Sequence, residues 1–306
     1  MTMKKPIVRL TLGLVIPLVA VVAFLGMPET ANAQIYVANY YASTISEYST
    51  SGTLLNASLI SGVNDPLDIA INGGNLYIAN RGSGTVGEYT ASGTAVNASL
   101  ISGLPNPASI AISGGDIFVG NYLNGTIGEY TLSGTVVNAS LISGLDIEYA
   151  IAIDGGNMFI ANTLDGTIRE YTTSGTLVNA SLISGLNDPF GIAINGGNLY
   201  IASRGSGTVG EYTESGTAVN ASLISGLNEP VGVDIVGGDL YVSSYGSESV
   251  GEYTLSGTAV NASLVPSGLS GPYGIAVVAE VPEPASASLL IGGLGMIGFL
   301  RFRRRN

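Results

Sequence analysis

The side chains of this 306-residue chain that could do chemistry are carboxylates and phenols, because the sequence contains no histidine and no cysteine. Imidazole bases, thiol nucleophiles and the usual zinc ligands are therefore excluded. A hydrolase or lyase built on this chain would depend on acidic residues, and the candidates are Asp68, Asp234 and Glu148. A calcium site would need a recognisable ligand loop, which we do not find, so we expect neither a metal nor a cofactor.

A second group of side chains is suited to binding. Tyrosine rings can stack on sugar rings, and a guanidinium can meet an anionic sugar or a carboxylate of a partner protein. The candidate ligand-binding residues are Tyr40, Tyr41, Arg81, Tyr122, Arg204 and Tyr245. Loop packing by the tyrosines and solvation of the arginines are the alternatives, and the sequence leaves them open.

An internal repeat of 41 residues positions these side chains. A Glu-Tyr pair ends at Tyr48, Tyr89, Tyr130, Tyr171, Tyr212 and Tyr253, and Asn-Ala-Ser-Leu recurs in step with it. The six copies fill residues 35–280. A small substrate has no sixfold symmetry, so six identical Glu-Tyr pairs are not expected to catalyse. We expect them to pack one repeat against the next.

Each copy predicts four short strands separated by Gly-, Ser- and Asn-rich turns, for example residues 66–71 (a), 75–80 (b), 85–90 (c) and 95–101 (d). Such a unit has the size of one propeller blade. The repeats begin with strand b and end with strand a, so pairing of the two chain ends would complete one blade. An open solenoid would need polar caps, which are absent. The sequence therefore predicts an all-β, six-bladed β-propeller of four-stranded blades over residues 34–280.

The alternating strands of a blade place the b–c turns and the d–a loops on one face of the ring. These connections vary between copies, whereas the a–b and c–d turns are nearly invariant. Variation concentrated on one loop face of a rigid scaffold is typical of a binding site, with ordinary drift of exposed loops as the alternative. Arg81 and Arg204 are 123 residues apart, which is three copies, so they are expected across the ring from each other.

The segment Pro-Phe-Gly-Ile-Ala-Ile at 189–194, followed by Gly-Gly-Asn-Leu-Tyr-Ile-Ala at 196–202, resembles the NHL/YVTN type of repeat. The resemblance implies a propeller but no single activity. Six-bladed propellers similar to gluconolactonase or strictosidine synthase use axial carboxylates, and they are the basis of an enzymatic alternative. A mechanism like that of virginiamycin lyase is disfavoured, because that family depends on histidine.

The N-terminus predicts a cleavable signal peptide over residues 1–33. Three basic residues, Lys4, Lys5 and Arg9, precede an apolar run from 10 to 25, and Ala31-Asn32-Ala33 forms an Ala-x-Ala cleavage site. The mature chain is then expected to begin at Gln34. An uncleaved membrane anchor is the alternative.

The C-terminal residues 281–306 have three parts: Pro282-Glu283-Pro284, an apolar run over 285–300 and a basic tail over 301–305 that contains Arg303, Arg304 and Arg305. This pattern resembles the PEP-CTERM sorting signal. The resemblance implies a Gram-negative bacterium, recognition by an exosortase, cleavage near the Pro-Glu-Pro and delivery to the cell surface or extracellular matrix. The apolar run is predicted to be a transmembrane helix with its arginines in the cytoplasm, and a plain membrane anchor is the alternative.

Residues 34–280 contain three basic and twenty acidic side chains, a formal net charge of −17. Such a surface repels phosphate backbones, so nucleic acid is not an expected partner. We expect a monomeric, exported, non-enzymatic scaffold that binds polysaccharide or protein partners. The alternative is a lactonase- or strictosidine-synthase-like hydrolase or lyase.

The first prediction concerns processing. If the C-terminal signal is cleaved, the mature protein ends between Val281 and Ala285 and lacks the basic tail. Mass spectrometry of the protein recovered from the cell surface measures this end directly. Recovery of chains that keep Arg303, Arg304 and Arg305 would contradict it.

Overall fold

The computed structural model describes residues 33–145 and 148–279, and in this part of the chain it forms 24 strands in six antiparallel sheets of four. The sheets are the blades of a six-bladed β-propeller, which confirms the predicted fold. No helix among these residues is long and apolar enough to cross a membrane. The predicted signal peptide, apart from Ala33, and the sorting segment 281–306, with its apolar run, lie outside the described residues.

The blades follow one another along the chain, and strands a to d run from the axis outward. Blade 1 contains β1 (Gln34–Asn39), β2 (Thr44–Ser49) and β3 (Leu54–Ser61), and β24 (Pro272–Val278) completes it at the axis. Blade 2 contains β4 (Pro66–Asn72), β5 (Asn75–Asn80), β6 (Thr85–Thr90) and β7 (Ala95–Ser102). Blade 3 contains β8 (Pro107–Ser113), β9 (Asp116–Asn121), β10 (Thr126–Thr131) and β11 (Val136–Ser143).

The second half of the ring repeats this pattern. Blade 4 contains β12 (Glu148–Asp154), β13 (Asn157–Asn162), β14 (Thr167–Thr172) and β15 (Leu177–Ile183). Blade 5 contains β16 (Pro189–Asn195), β17 (Asn198–Ser203), β18 (Thr208–Thr213) and β19 (Ala218–Ile224). Blade 6 contains β20 (Pro230–Val236), β21 (Asp239–Ser244), β22 (Ser249–Thr254) and β23 (Ala259–Val265).

Strands a and b are joined by a tight turn of two glycines. In blade 2, Gly73 and Gly74 have φ angles of 58° and 81°, in the left-handed region that glycine adopts without steric cost. The turn returns the chain directly into β5, whose residues Leu76 to Asn80 are all buried. Both faces of β5 are covered because each blade lies between two others.

The hydrophobic core is divided among the blade interfaces. Within the described residues it forms six clusters, and each joins two adjacent blades. The cluster between blades 6 and 1 includes Tyr241 and Val250 from one side and Ile35, Val37 and Ile275 from the other. The joint between the two chain ends is therefore packed like the other five.

The Glu-Tyr pairs hold the blades together, as the sequence predicted. Tyr89 is buried in the interface between blades 1 and 2. The neighbouring carboxylate of Glu88 accepts hydrogen bonds from Nδ2 of Asn75 at 2.7 Å and from the hydroxyl of Tyr77 at 3.0 Å. The repeated acid is thus hydrogen-bonded inside its own blade.

The c–d turns make the closest contacts at the rim. A Cβ added to Gly93 in blade 2 would collide with the carbonyl oxygen of Leu59 in blade 1. Gly52 in blade 1 meets Leu264 in blade 6 in the same way. The glycine of the Ser-Gly-Thr turn is required because one blade approaches the backbone of the preceding blade this closely.

The ring is closed by hydrogen bonding between the two ends of the described chain. Strand β24 pairs antiparallel with β1, with Gln34 opposite Val278 and Val37 opposite Ile275, and a bulge separates Val37 from Asn39. No blade is left with an unpaired inner strand. The ring is therefore closed by hydrogen bonds between β24 and β1 and not by a covalent link.

The second prediction tests this closure. Deleting residues 272–278 removes the inner strand of blade 1 and exposes the edge and apolar face of β1, so we expect aggregation or loss of cooperative unfolding. Thermal unfolding followed by circular dichroism measures the effect. A chain that ends at residue 279 is the matched control and should unfold cooperatively. Cooperative unfolding of both chains at the same temperature would show that β24 is dispensable.

Candidate functional site

In five of the six blades, the first residue of the b–c turn is held by a backbone hydrogen bond to the d–a loop of its own blade. The N–H groups of Tyr40, Arg81, Tyr122, Arg204 and Tyr245 donate to the carbonyls of Gly271, Asp65, Asn106, Asp188 and Glu229 over 2.9–3.1 Å. Each of these five acceptor residues has a positive φ, between 51° and 63°. These bonds place the b–c turns and d–a loops on one side of the ring, which we call the loop face.

Five aromatic rings meet on the loop face. The ring centroid of Tyr273 lies 5.4 Å from that of Tyr40, 5.3 Å from that of Tyr245 and 5.9 Å from that of Phe190. Tyr41 packs against Tyr40 at 5.1 Å, and its hydroxyl is in hydrogen-bond contact with that of Tyr245. We call these five residues the aromatic platform.

The two arginines extend the platform on opposite sides. The guanidinium of Arg81 lies 5.0 Å from the ring centre of Tyr122 and donates to the hydroxyl of Tyr40 at 3.3 Å. The guanidinium of Arg204 lies 5.3 Å from the ring centre of Tyr245 and 5.7 Å from that of Phe190. All six candidate residues from the sequence therefore belong to one connected set of contacts, held by cation–π and aromatic interactions.

The structure adds two residues that the sequence analysis missed. Tyr273 and Phe190 are the second residues of β24 and β16, inside strands that we expected to be structural. The same position holds Leu67, Ala108 and Val231 in three other blades. A comparison of this one position between copies would have found both residues, together with Tyr149 of β12, whose side chain lies outside what the structure describes.

A cavity of about 350 Å³ lies on the axis of the ring. The inner strands of all six blades line it, mostly with glycine, alanine, valine and isoleucine. Tyr273 and Phe190 stand at the end nearest the loop face, since they come early in strands that start there. The aromatic platform is thus at the mouth of the axial cavity.

Asp68 and Asp234 lie in the wall of this cavity. Asp68 accepts backbone N–H bonds from Ile69 at 2.9 Å and, in the next blade, from Ile110 at 3.0 Å. Asp234 accepts from Ile235 at 2.8 Å and from Val277 of blade 1 at 2.7 Å. Each carboxylate therefore connects two neighbouring inner strands. It accepts hydrogen bonds from backbone N–H groups at the axial edge of the sheets, where no further strand is present to pair with them.

Burial changes the acidity of both groups. It raises the pKa of Asp68 to about 7, against an opposing effect of the two backbone N–H bonds and with a small contribution from the charge of Asp234. It raises the pKa of Asp234 to about 6 in the same way. The third acid proposed from the sequence, Glu148, starts β12, and its side chain lies outside what the structure describes. Among the described residues, no three acidic side chains are grouped to hold a metal ion.

Two phenols of the platform, Tyr245 and Tyr273, have raised pKa values. The hydrogen bond with Tyr41, followed by burial, raises the pKa of Tyr245 to about 12. Burial also raises the pKa of Tyr273, partly offset by the positive charge of Arg204. These two phenols therefore carry no negative charge beside the arginines at physiological pH.

Comparison with known protein families identifies the C-terminal segment. The PEP-CTERM protein-sorting motif matches residues 280–305. The chain carries a PEP-CTERM signal. The motif indicates an exported protein with a transient membrane anchor, and it is the signal that exosortase recognises. The matched residues lie outside those that the structure describes, and no curated protein sequence matches the chain.

Several solved structures share the fold. A chain of a nidogen/laminin complex is 18% identical, with a TM-score of 0.71, and the match covers 80% of this chain and 98% of that one. A catalytically inactive histidine-to-alanine variant of virginiamycin B lyase from Staphylococcus aureus, solved with quinupristin, is 17% identical over 81% of this chain and 88% of that one, with a TM-score of 0.61. A protein of unknown function from Bacteroides caccae is 16% identical over 81% and 99% of the two chains, with a TM-score of 0.64. At these identities the likeness shows the propeller fold alone, as the resemblance to NHL/YVTN repeats implied.

The third prediction follows from the two axial acids. Their pKa values of about 7 and 6 lie above the ordinary 3.8, so the folded protein binds more protons than the unfolded chain in this range. The free energy of unfolding should fall as pH rises from about 4 to 7 and level off above, by roughly 2 kcal/mol in all, because both side chains are only half-buried and the effect is weakened by solvent.

The matched variant replaces each acid by the residue that another blade has at the same position. Asp68→Ser copies Ser109 of β8, and Asp234→Ala copies Ala111 of the same strand. Urea unfolding between pH 4 and pH 8 should show a shallower pH dependence for the double variant. Equal slopes for the two proteins would show that these carboxyls do not have raised pKa values.

Proposed function

We propose that this exported propeller is a non-enzymatic binding protein that holds a surface polysaccharide on its loop face. The observation that carries the proposal is the aromatic platform with an arginine stacked at each side. The platform faces outward at the mouth of the cavity, where Tyr41 keeps 63% of its surface exposed. A protein partner of the cell surface or matrix is the second ligand class for the same face.

The chemistry of the platform suits a sugar polymer. Flat phenol rings offer apolar faces together with hydroxyls that donate and accept hydrogen bonds. The centroids of Tyr40, Tyr273 and Tyr245 follow one another at 5.3–5.4 Å, about the length of one sugar unit. The turns that carry these rings are fixed by backbone hydrogen bonds, so little conformational entropy is lost on binding.

The sorting signal supports a location at the cell surface for the proposed binding site. Processing by an exosortase would release residues 34–280 to the cell surface or extracellular matrix of a Gram-negative bacterium. There the protein would act as a monomer whose partner is a polymer rather than a cofactor. A rigid ring that presents one binding face fits a structural or adhesive role in such a matrix.

The enzymatic alternative has weaker support. One similar fold is a lyase, but the solved variant is inactive after a histidine was replaced, and this chain has no histidine. The axial carboxylates of Asp68 and Asp234 each accept two backbone hydrogen bonds, one on each oxygen, and one of the two joins the acid to the inner strand of the next blade. Among the described residues that line the cavity, Tyr273 is the only other titratable group, and burial raises its pKa.

The fourth prediction tests the loop face. A variant with Tyr122→Ala, Arg81→Ala and Tyr245→Ala should fold normally and lose retention on native matrix polysaccharide. Anchors of this kind cost about 2 kcal/mol or more on truncation, which is about a thirtyfold loss of affinity. Affinity electrophoresis in gels that contain the polysaccharide measures the effect.

The control alters the opposite face. Thr94→Ala and Thr176→Ala change exposed side chains of two c–d turns and should leave retention unchanged. Equal retention of both variants would remove the loop face from the proposal. Loss of a measured lactone or ester hydrolysis in the folded Asp68→Ser, Asp234→Ala protein would favour the enzyme.

A further inference from the structure

The two arginine sites are related by a shift of three repeats. Arg81 stacks on Tyr122 of the following blade, and Arg204, 123 residues later, stacks on Tyr245 of the following blade. Each tyrosine is held by a backbone bond to its own d–a loop, to Asn106 in one case and to Glu229 in the other. The loop face therefore carries two half-sites of the same construction on opposite sides of the ring.

One position makes the half-sites different in charge. Nη2 of Arg204 donates to Oε2 of Glu229 at 3.1 Å, in an ion pair that is partly exposed. The residue that corresponds to Glu229 beside Arg81 is Asn106, which is neutral. Arg81 forms no ion pair in the described part of the chain, and its guanidinium donates only to the hydroxyl of Tyr40. Among the described residues, Arg204 is therefore paired with a carboxylate and Arg81 is not.

The second acid of this half-site, Asp65, forms no ion pair with Arg81. Asp65 corresponds to Asp188 of the Arg204 half-site, and its carboxylate lies beside Gly82 in the next turn position. The ring of Tyr122 and the hydroxyl of Tyr40 hold the guanidinium in place from two sides. A guanidinium has five N–H donors in a fixed fork, so most of them remain available in a fixed orientation.

We propose that the Arg81 half-site binds a carboxylate of the ligand and that the Arg204 half-site binds an uncharged unit, so that the ligand is a polysaccharide containing uronic acid. This inference rests on the proposed function and names the ligand class of the same face. Uronic acids combine a pyranose face for the tyrosines with a carboxylate for the bidentate fork. A body of net charge −17 would otherwise repel such a polymer, so the unpaired Arg81 determines where it docks.

The fifth prediction exchanges the two half-sites. Asn106→Glu places an acid beside Arg81 and should weaken binding of polygalacturonate by about tenfold, the loss of one charge-assisted contact. Glu229→Asn frees Arg204 and should strengthen binding by about threefold. Neither variant should change binding of carboxyl-reduced polygalacturonate. Isothermal titration calorimetry at two salt concentrations measures all of these, and the difference between polymers should shrink at high salt.

Asn106→Glu is compatible with the backbone, because the d–a loop of blade 6 has a glutamate, Glu229, at the corresponding position. Asn106 has a φ of 60°, and Glu229 has a φ of 52° at the corresponding position. Thermal unfolding checks that each variant folds. Arg81→Gln, which removes the charge and keeps the side chain polar, provides a second variant with the same expected tenfold loss.

The outcomes separate this inference from the proposed function. Unchanged polygalacturonate binding by folded Asn106→Glu and Arg81→Gln would overturn the carboxylate assignment, as would failure of the wild-type protein to bind that polymer. Binding of neutral polysaccharide that still depends on Tyr122 and Tyr245 would then leave the proposed function intact. Equally tight binding of poly-glutamate would overturn the polysaccharide assignment in favour of an acidic protein partner.

Discussion

The hydrogen-bonded ladder between β24 and β1 is the interaction on which the rest of the structure depends. It joins the two ends of the described chain within one blade and buries an interface cluster like those elsewhere in the ring. It also builds the site, because Tyr273 comes from β24 and Tyr40 follows β1. The centre of the aromatic platform therefore exists only in the closed ring.

The repeat divides its residues between two tasks. Positions that are the same in most blades are structural: the buried tyrosine and the rim glycine hold one blade against the next, and the neighbouring glutamate joins strands within its own blade. Positions that differ between blades create the aromatic platform. A perfectly symmetric ring would carry the same residue in every blade and could not gather aromatic rings on one side. Asp68 and Asp234 belong to the first class although each occurs only once at its position, because their oxygens tie inner strands together.

Much of this could be predicted from the sequence because the period repeats the same local signals six times. The strand bounds of blade 2, such as 75–80 and 85–90, agree with β5 and β6 to the residue. The loop face also followed, since strand direction alone decides which connections share a side. Tyr273 and Phe190 were missed because their strands look structural, and the pairing of Arg204 with Glu229 depends on a contact between blades that no spacing within one repeat reveals.

The route of the backbone at the two ends has a consequence for how the protein is displayed. Strand a starts at the loop face, so β24 ends on the other side of the ring, and β1 starts there too, with Gln34 opposite Val278. A tether attached at either terminus therefore pulls on the underside of the disc. A ring anchored there would present its loop face away from the support, and a shorter tether would bring the ring closer to the support without covering that face.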